Sequence, residues 1–246
     1  MSTVRTGPSI GLISQTMLLL AMAGTVGLTL TGWLVGIACG VGTNLALARG
    51  LDRSAAALGP ADRVTLVRAA LVGAVAALMA DAFVRPAAVP ALVTLSVVAL
   101  VLDAVDGWVA RHTGTASPLG ARFDGEVDAF LILVLSVYVA RSLGPWVLAI
   151  GAARYLFLVA GWLLPWMRAQ LPPRYWRKYV CAIQGITLTI AAADVLPRRD
   201  SEAVLVVALG LLTESFGRDV WWLRRESSRS PAIAERRPIA ASLARD

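Results

Sequence analysis

Residues 90–140 read PALVTLSVVALVLDAVDGWVARHTGTASPLGARFDGEVDAFLILVLSVYVA. A helix needs roughly 20 mostly apolar residues to cross the hydrocarbon layer, and this stretch supplies two such runs, Pro90 to Ala110 and Phe123 to Ala140. Asp103, Asp106, Gly107, Ala110 and Arg111 recur at i, i+3, i+4, i+7 and i+8, so on a helix they form one stripe. Gly120, Asp124 and Asp128 are four apart and form a second stripe at the start of the next run. Between them, the segment from His112 to Leu119 contains Gly114 and Pro118, which suit a turn between antiparallel helices. The two stripes are placed to face each other.

Six further apolar runs flank this pair: Ile10 to Leu30, Gly32 to Ala48, Val64 to Phe83, Trp146 to Trp166, Tyr179 to Leu196 and Ala203 to Trp222. The predicted fold is all-α, a polytopic membrane helical bundle. The first two runs, parted by a turn at Leu30-Thr31-Gly32 and followed by a polar linker from Gly50 to Pro60, read as an accessory hairpin. Composition agrees, since 57% of the 246 residues are hydrophobic and only 16% are charged. The formal charge of +7 does not point to nucleic acid, because the basic residues stand at the ends of apolar runs instead of on one polar face. Cys39 and Cys181 lie far apart in apolar stretches and read as packing residues. The first run is too long for a secretory signal and lacks a small-residue cleavage site, so it reads as a retained span.

With the N-terminus inside, Arg49, Arg53, Arg63, Arg111, Arg122, Arg168, Arg174, Arg177, Lys178 and the arginines from Arg224 onward share one side. The other side keeps Arg85, Arg141, Arg198 and Arg199. That asymmetry is the positive-inside pattern and puts both termini and the Arg111 to Arg122 loop in the cytoplasm, with the bundle in the cell membrane. Trp146, Trp162, Trp166, Trp176, Trp221 and Trp222 stand near span ends and read as interfacial anchors. The Ser-, Arg- and Pro-rich residues after Glu226 read as a disordered tail.

Four carboxylates at the mouth of two apolar helices carry an insertion cost on the order of 3 kcal/mol each. Divalent cations offset it, because a hard ion prefers carboxylate oxygen and keeps room for water and phosphate, and a pair of them clamps both oxygens of a phosphoryl displacement. Gly107 and Ala110 leave the helix surface low beside the acids, Gly120 does so opposite, and Arg111 is placed to neutralise a diphosphate. A cation channel or transporter would also explain intramembrane acids. It leaves Gly107, Ala110, Arg111 and Gly120 unexplained, and it calls for acids along a pore instead of at one end of two spans.

The residues D-A-V-D-G-W-V-A-R, eight residues, then G-A-R-F-D-G-E-V-D resemble the signature of the CDP-alcohol phosphatidyltransferase family, D-x2-D-G-x2-A-R-x8-G-x3-D-x3-D, at every fixed position from Asp103 to Asp128. Upstream, Pro60-Ala61-Asp62-Arg63-Val64-Thr65-Leu66-Val67-Arg68 is similar to the Pro-Asn/Asp-x-x-Thr-x-x-Arg pattern at the family's first core helix, with a one-residue offset. The resemblance implies six core transmembrane helices from Val64 to Trp222 plus the N-terminal transmembrane hairpin, and a homodimer. The implied organisation is a hairpin and linker over 1–59, a core over 60–225 and a polar tail over 226–246. It further implies that Asp103, Asp106, Asp124 and Asp128 bind Mg²⁺ or Mn²⁺, two ions in all, and that Asp128 is also the general base. Gly107, Ala110, Arg111, Ser117 and Gly120, with Asp62 and Thr65, would border the CDP moiety. The implied reaction moves a phosphatidyl group from a CDP-activated lipid such as CDP-diacylglycerol to a small alcohol and releases CMP, a step of phospholipid biosynthesis.

Members that use a phosphorylated acceptor often carry Gly-Lys-x-Lys-Thr-x-x-Gln, and the corresponding residues here are Arg177-Lys178-Tyr179-Val180-Cys181-Ala182-Ile183-Gln184. Lys178 and Gln184 are kept, whereas Val180 and Cys181 replace the second lysine and the threonine, which weakens a glycerol-3-phosphate assignment. Arg154 has no acidic residue at i±4, and a guanidinium within a span needs a partner. It is expected to face the polar cavity and hold an anionic acceptor such as inositol phosphate, or to pair with another helix. Lys178, Arg174 and Arg177 also read as inside-facing anchors, His112 as solvated, and Asp194, Glu202, Glu214 and Asp219 as without chemical role.

Overall fold

The computed structural model describes residues 6–54, 60–113, 118–169, 171–172 and 174–234. Among them it contains helices α1 Thr6–Thr25, α2 Leu30–Ser54, α3 Pro60–Asp81, α4 Val89–Thr113, α5 Pro118–Leu143, α6 Leu148–Leu163, α7 Tyr175–Ala192 and α8 Arg198–Ala234, and no strand. Short 3₁₀ turns, Pro145–Val147 and Pro165–Arg168, flank α6. Among the described residues, three helical stretches are long and apolar enough to cross a membrane: Val64–Asp81, Val89–Trp108 and Pro145–Leu163. Gly11–Thr25 and Leu30–Ala46 are shorter apolar helical stretches.

Helix α3 is the post of the bundle, packed by α1, α2, α4 and α5. Its apolar stretch is 78% buried, against 22% for that of α4 and 17% for that of α6. Val97, Val101 and Val105 of α4 and Leu156, Val159 and Leu163 of α6 face outward. In water this much contiguous apolar surface would drive aggregation; in lipid it is matched to its surroundings. The chain is an integral membrane protein. Its interior is closed by small and branched side chains, with Val72, Val75 and Leu78 of α3 against Leu92 of α4, Leu131, Leu135 and Val139 of α5, and Leu188 of α7.

The first two helices pack on α3 through glycine. A Cβ at Gly36 would lie 2.6 Å from Leu19 of α1 and 3.3 Å from Ala77 of α3, and one at Gly40 would lie 2.8 Å from Gln15. Such close approach maximises dispersion contact between helices that gain nothing from hydrophobic burial in lipid. Buried Gln15 donates to the Gly36 carbonyl at 3.3 Å. At the other end, buried Asp81 accepts hydrogen bonds from the Thr29 amide at 3.2 Å, from the Thr29 hydroxyl, and from Arg85 Nε and Nη2 at 3.1 and 2.7 Å. Arg85 in turn donates to the Val26 and Gly27 carbonyls.

Several boundaries differ from the sequence reading. The first turn lies at residues 26–29, not at 30–32, because Gly27 adopts φ 73° and closes α1 with its amide on the Met22 carbonyl at 3.0 Å. Gly32 is instead a packing residue inside α2, its backbone pressed against Asp81. Helix α6 stops at Leu163, short of Trp166, because Leu164 precedes Pro165 and takes the extended backbone that proline imposes. Helices α2 and α8 run on to Ser54 and Ala234, into stretches read as linker and tail. Helix α8 is held to α7 by the Gln184 side-chain amide on the Ala208 carbonyl at 2.8 Å and by Trp176 Nε1 on Glu214 at 3.0 Å.

Candidate active site

The i, i+3 spacing puts Asp103 and Asp106 on one face of α4, the i, i+4 spacing puts Asp124 and Asp128 on one face of α5, and both helices pack on α3. The four carboxylates meet around a group supplied by α3, the guanidinium of Arg68. Its Nη1 lies 2.7 Å from Asp103 Oδ1, 2.7 Å from Asp106 Oδ2 and 2.6 Å from Asp124 Oδ1, and its Nη2 donates to Asp128 Oδ1. Thr65, one turn earlier on α3, donates its hydroxyl to Asp106 Oδ2 at 3.2 Å.

Exposure grades across the cluster and shows from which side a ligand comes. The Arg68 side chain is 1% exposed and that of Asp106 6%, whereas Asp128 is 23%, Asp124 33% and Asp103 34% exposed. Arg68 and Asp106 make the floor, and the other three carboxylates form an open rim. With all four acids ionised, one guanidinium leaves three negative charges uncompensated, an unstable balance at the low effective dielectric of a helix bundle.

The donor set suits a hard divalent cation. Asp103, Asp106 and Asp124 each offer an oxygen, and these oxygens lie within 4.8 Å of one another; anionic oxygen is what such ions prefer. Sequence spacing had set the four negative charges against metal alone. The structure adds a cation built into the fold, Arg68, the last residue of the upstream pattern. The signal was present, since Arg68 is a charged residue in the apolar Val64–Asp81 stretch, three residues beyond Thr65 and on the same helix face.

Of the remaining site residues read from sequence, Gly107 and Gly120 are half-buried on α4 and α5. Thr65 is buried behind the acids, on Asp106. Ser117, and the side chains of Asp62, Ala110 and Arg111, lie outside the described residues. On the flank of the cluster, Arg154 of α6 meets Glu126 of α5 through Nη2 at 2.6 Å, the interhelical partner that its own helix lacks. Lys178 of α7 is exposed. Gln184 is buried, with its Nε2 on the Ala208 carbonyl of α8. Asp219 and Glu214 serve in the α7–α8 contact, through Arg177 at 3.3 Å and Trp176 at 3.0 Å.

A family description, CDP-alcohol phosphatidyltransferase, matches residues 59–214, which contain every residue of this cluster. The chain belongs to the CDP-alcohol phosphatidyltransferase family. It is also 38% identical over 103 residues to the archaetidylinositol phosphate synthase of Aeropyrum pernix, a match covering 40% of this chain and 47% of that protein. The chain thus aligns with about half the length of that curated relative. No solved structure matches it significantly. Within the family match lie α3 to α7 and the first part of α8, while the hairpin of α1 and α2 precedes it.

Proposed function

We propose that this CDP-alcohol phosphatidyltransferase moves a phosphatidyl-like group from a CDP-activated lipid to inositol phosphate and releases CMP. The observation that carries the reaction class is the meeting of Asp103, Asp106, Asp124 and Asp128, the fixed acids of the family signature, in one cluster with an open rim. In this reading Asp103, Asp106, Asp124 and Asp128 hold Mg²⁺ or Mn²⁺, as two ions. When bound, such ions supply Lewis-acid neutralisation of charge on the diphosphate oxygens. Asp128 takes the proton of the acceptor hydroxyl as the new phosphorus–oxygen bond forms and CMP leaves. Thr65 fixes the orientation of Asp106 through its hydroxyl. Gly107, Ala110 and Gly120 leave room for the nucleotide, and Arg111, Ser117 and Asp62 contact it.

The choice of acceptor is supported by the flank of the site. Arg154 is 41% exposed at the side chain, with its Nη2 on Glu126. With Lys178 across the cluster on α7, it gives an anionic alcohol two cationic contacts beside the carboxylates. The Aeropyrum relative, named for an inositol phosphate product, supports this choice. Six core helices span the membrane behind the N-terminal hairpin, termini and site face the cytoplasm at the cell membrane, and the chain works as a homodimer. In this reading the chain divides into a hairpin and linker over 1–59, a core over 60–225 and a polar tail over 226–246.

The test is CMP release from labelled CDP-diacylglycerol by membranes or nanodiscs containing the protein, with Mg²⁺ or Mn²⁺, screening inositol phosphate, glycerol-3-phosphate, inositol and serine. Release that needs metal, inositol phosphate and Asp128 is expected, with Asp128→Asn lowering turnover by about 10² to 10⁴. Turnover with glycerol-3-phosphate alone would overturn the acceptor, and ion flux without CMP release would overturn the reaction.

A further inference from the structure

Arg68 is the largest fully buried side chain of the described residues, and its Nη1 stands within 2.7 Å of oxygens from Asp103, Asp106 and Asp124 at once. A guanidinium Nη carries two hydrogens, so three such contacts cannot all be directed hydrogen bonds. The nitrogen is ringed by anionic oxygens in the way a metal ion is, through charge more than through bond direction. Its three neighbours are also the three residues whose oxygens are grouped closely enough to share one cation.

On the reading that these aspartates take divalent cations, we propose that Arg68 is a resident counter-ion that shares one seat with the first metal. Before metal binds, Arg68 draws α4 and α5 onto α3 by holding all four carboxylates. A divalent ion and a guanidinium repel each other strongly at these separations, so metal entry drives Nη1 off Asp103, Asp106 and Asp124. Thr65 keeps its grip on Asp106 meanwhile, so the buried carboxylate stays oriented while its charge partner changes. The cluster therefore remains assembled in both states, and metal affinity is set lower than four free carboxylates would give.

The test uses the full chain in nanodiscs, as wild type, Arg68→Gln and Arg68→Lys, with Mn²⁺ as the probe. Free Mn²⁺ is read by electron paramagnetic resonance, and thermal melting is followed in chelator and in saturating Mn²⁺. In chelator the Gln variant is expected to melt well below wild type, and Mn²⁺ is expected to close most of that gap. With the competing charge gone, its Mn²⁺ Kd is expected to tighten by about tenfold or more. The Lys variant, whose single ammonium cannot span four carboxylates, is expected between the two, and it carries the test if the Gln variant does not fold. A melting gap that Mn²⁺ leaves unchanged, or a Kd equal to or weaker than wild type in whichever variants fold, would overturn the shared seat while leaving the metal reading intact. Absence of Mn²⁺ binding in wild type and variants alike would overturn the metal reading and this proposal together.

Discussion

Thr65→Val changes one hydroxyl for a methyl of nearly the same volume, at a buried position whose Oγ1 lies 3.2 Å from Asp106 Oδ2. A hydrogen bond to a charged group contributes about 1.5 to 3 kcal/mol, but this one is longer than the usual hydroxyl-to-oxygen distance, which places it near 1 kcal/mol. Packing is preserved, so the loss falls on the orientation of Asp106 and hence on its affinity for a cation. One kilocalorie is about a fivefold change in an equilibrium constant. CMP release measured against Mn²⁺ concentration should show the half-saturating Mn²⁺ rise about fivefold, while KM for the CDP-lipid moves by less than about twofold. A large rise in KM with the Mn²⁺ requirement unchanged would refute this reasoning and make Thr65 a nucleotide contact instead.

Arg154→Leu should lower turnover with inositol phosphate by about ten- to a hundredfold, the worth of one charge-assisted hydrogen bond, and unchanged activity on the true acceptor would remove Arg154 from the acceptor site. Gly32→Ala sets a Cβ 2.3 Å from Asp81 Oδ1, and since Asp81 is held by Thr29 and Arg85 it cannot step aside. Melting should register a loss of about 2 kcal/mol from overpacking, with Gly24→Ala, whose Cβ meets nothing within 4 Å, as the neutral control. Gly151→Ala is expected to be worse, because its Cβ would stand 2.7 Å from the Leu133 Cα, and backbone yields only if α5 and α6 part.

The acid cluster was legible because its information is local. Spacings of three and four residues fix which side chains share a helix face, and the two faces stand on consecutive apolar runs. What binds them together was not local. Arg68 lies 35 residues from Asp103 and 60 from Asp128, and periodicity within α3 says nothing of which helices stand beside it. A charge inside an apolar stretch is a sufficient signal, as is Asp81 with Arg85 four residues on. The turn between α1 and α2 was misplaced because Gly27 and Gly32 look alike in sequence. One adopts positive φ to end a helix and the other admits a neighbouring carboxylate, a difference that appears only once α3 is in place. Arg154 had no partner within its own helix for the same reason, as Glu126 stands on α5.

The claim on which the account turns is that α4 and α5 grip the same cations. CMP release titrated with Mn²⁺ for wild type, Asp106→Asn and Asp124→Asn tests it with one substitution on each helix. No turnover is expected in chelator, and a higher Mn²⁺ requirement is expected in both variants. Turnover that persists without metal, or a requirement that shifts for one helix and not the other, would contradict it.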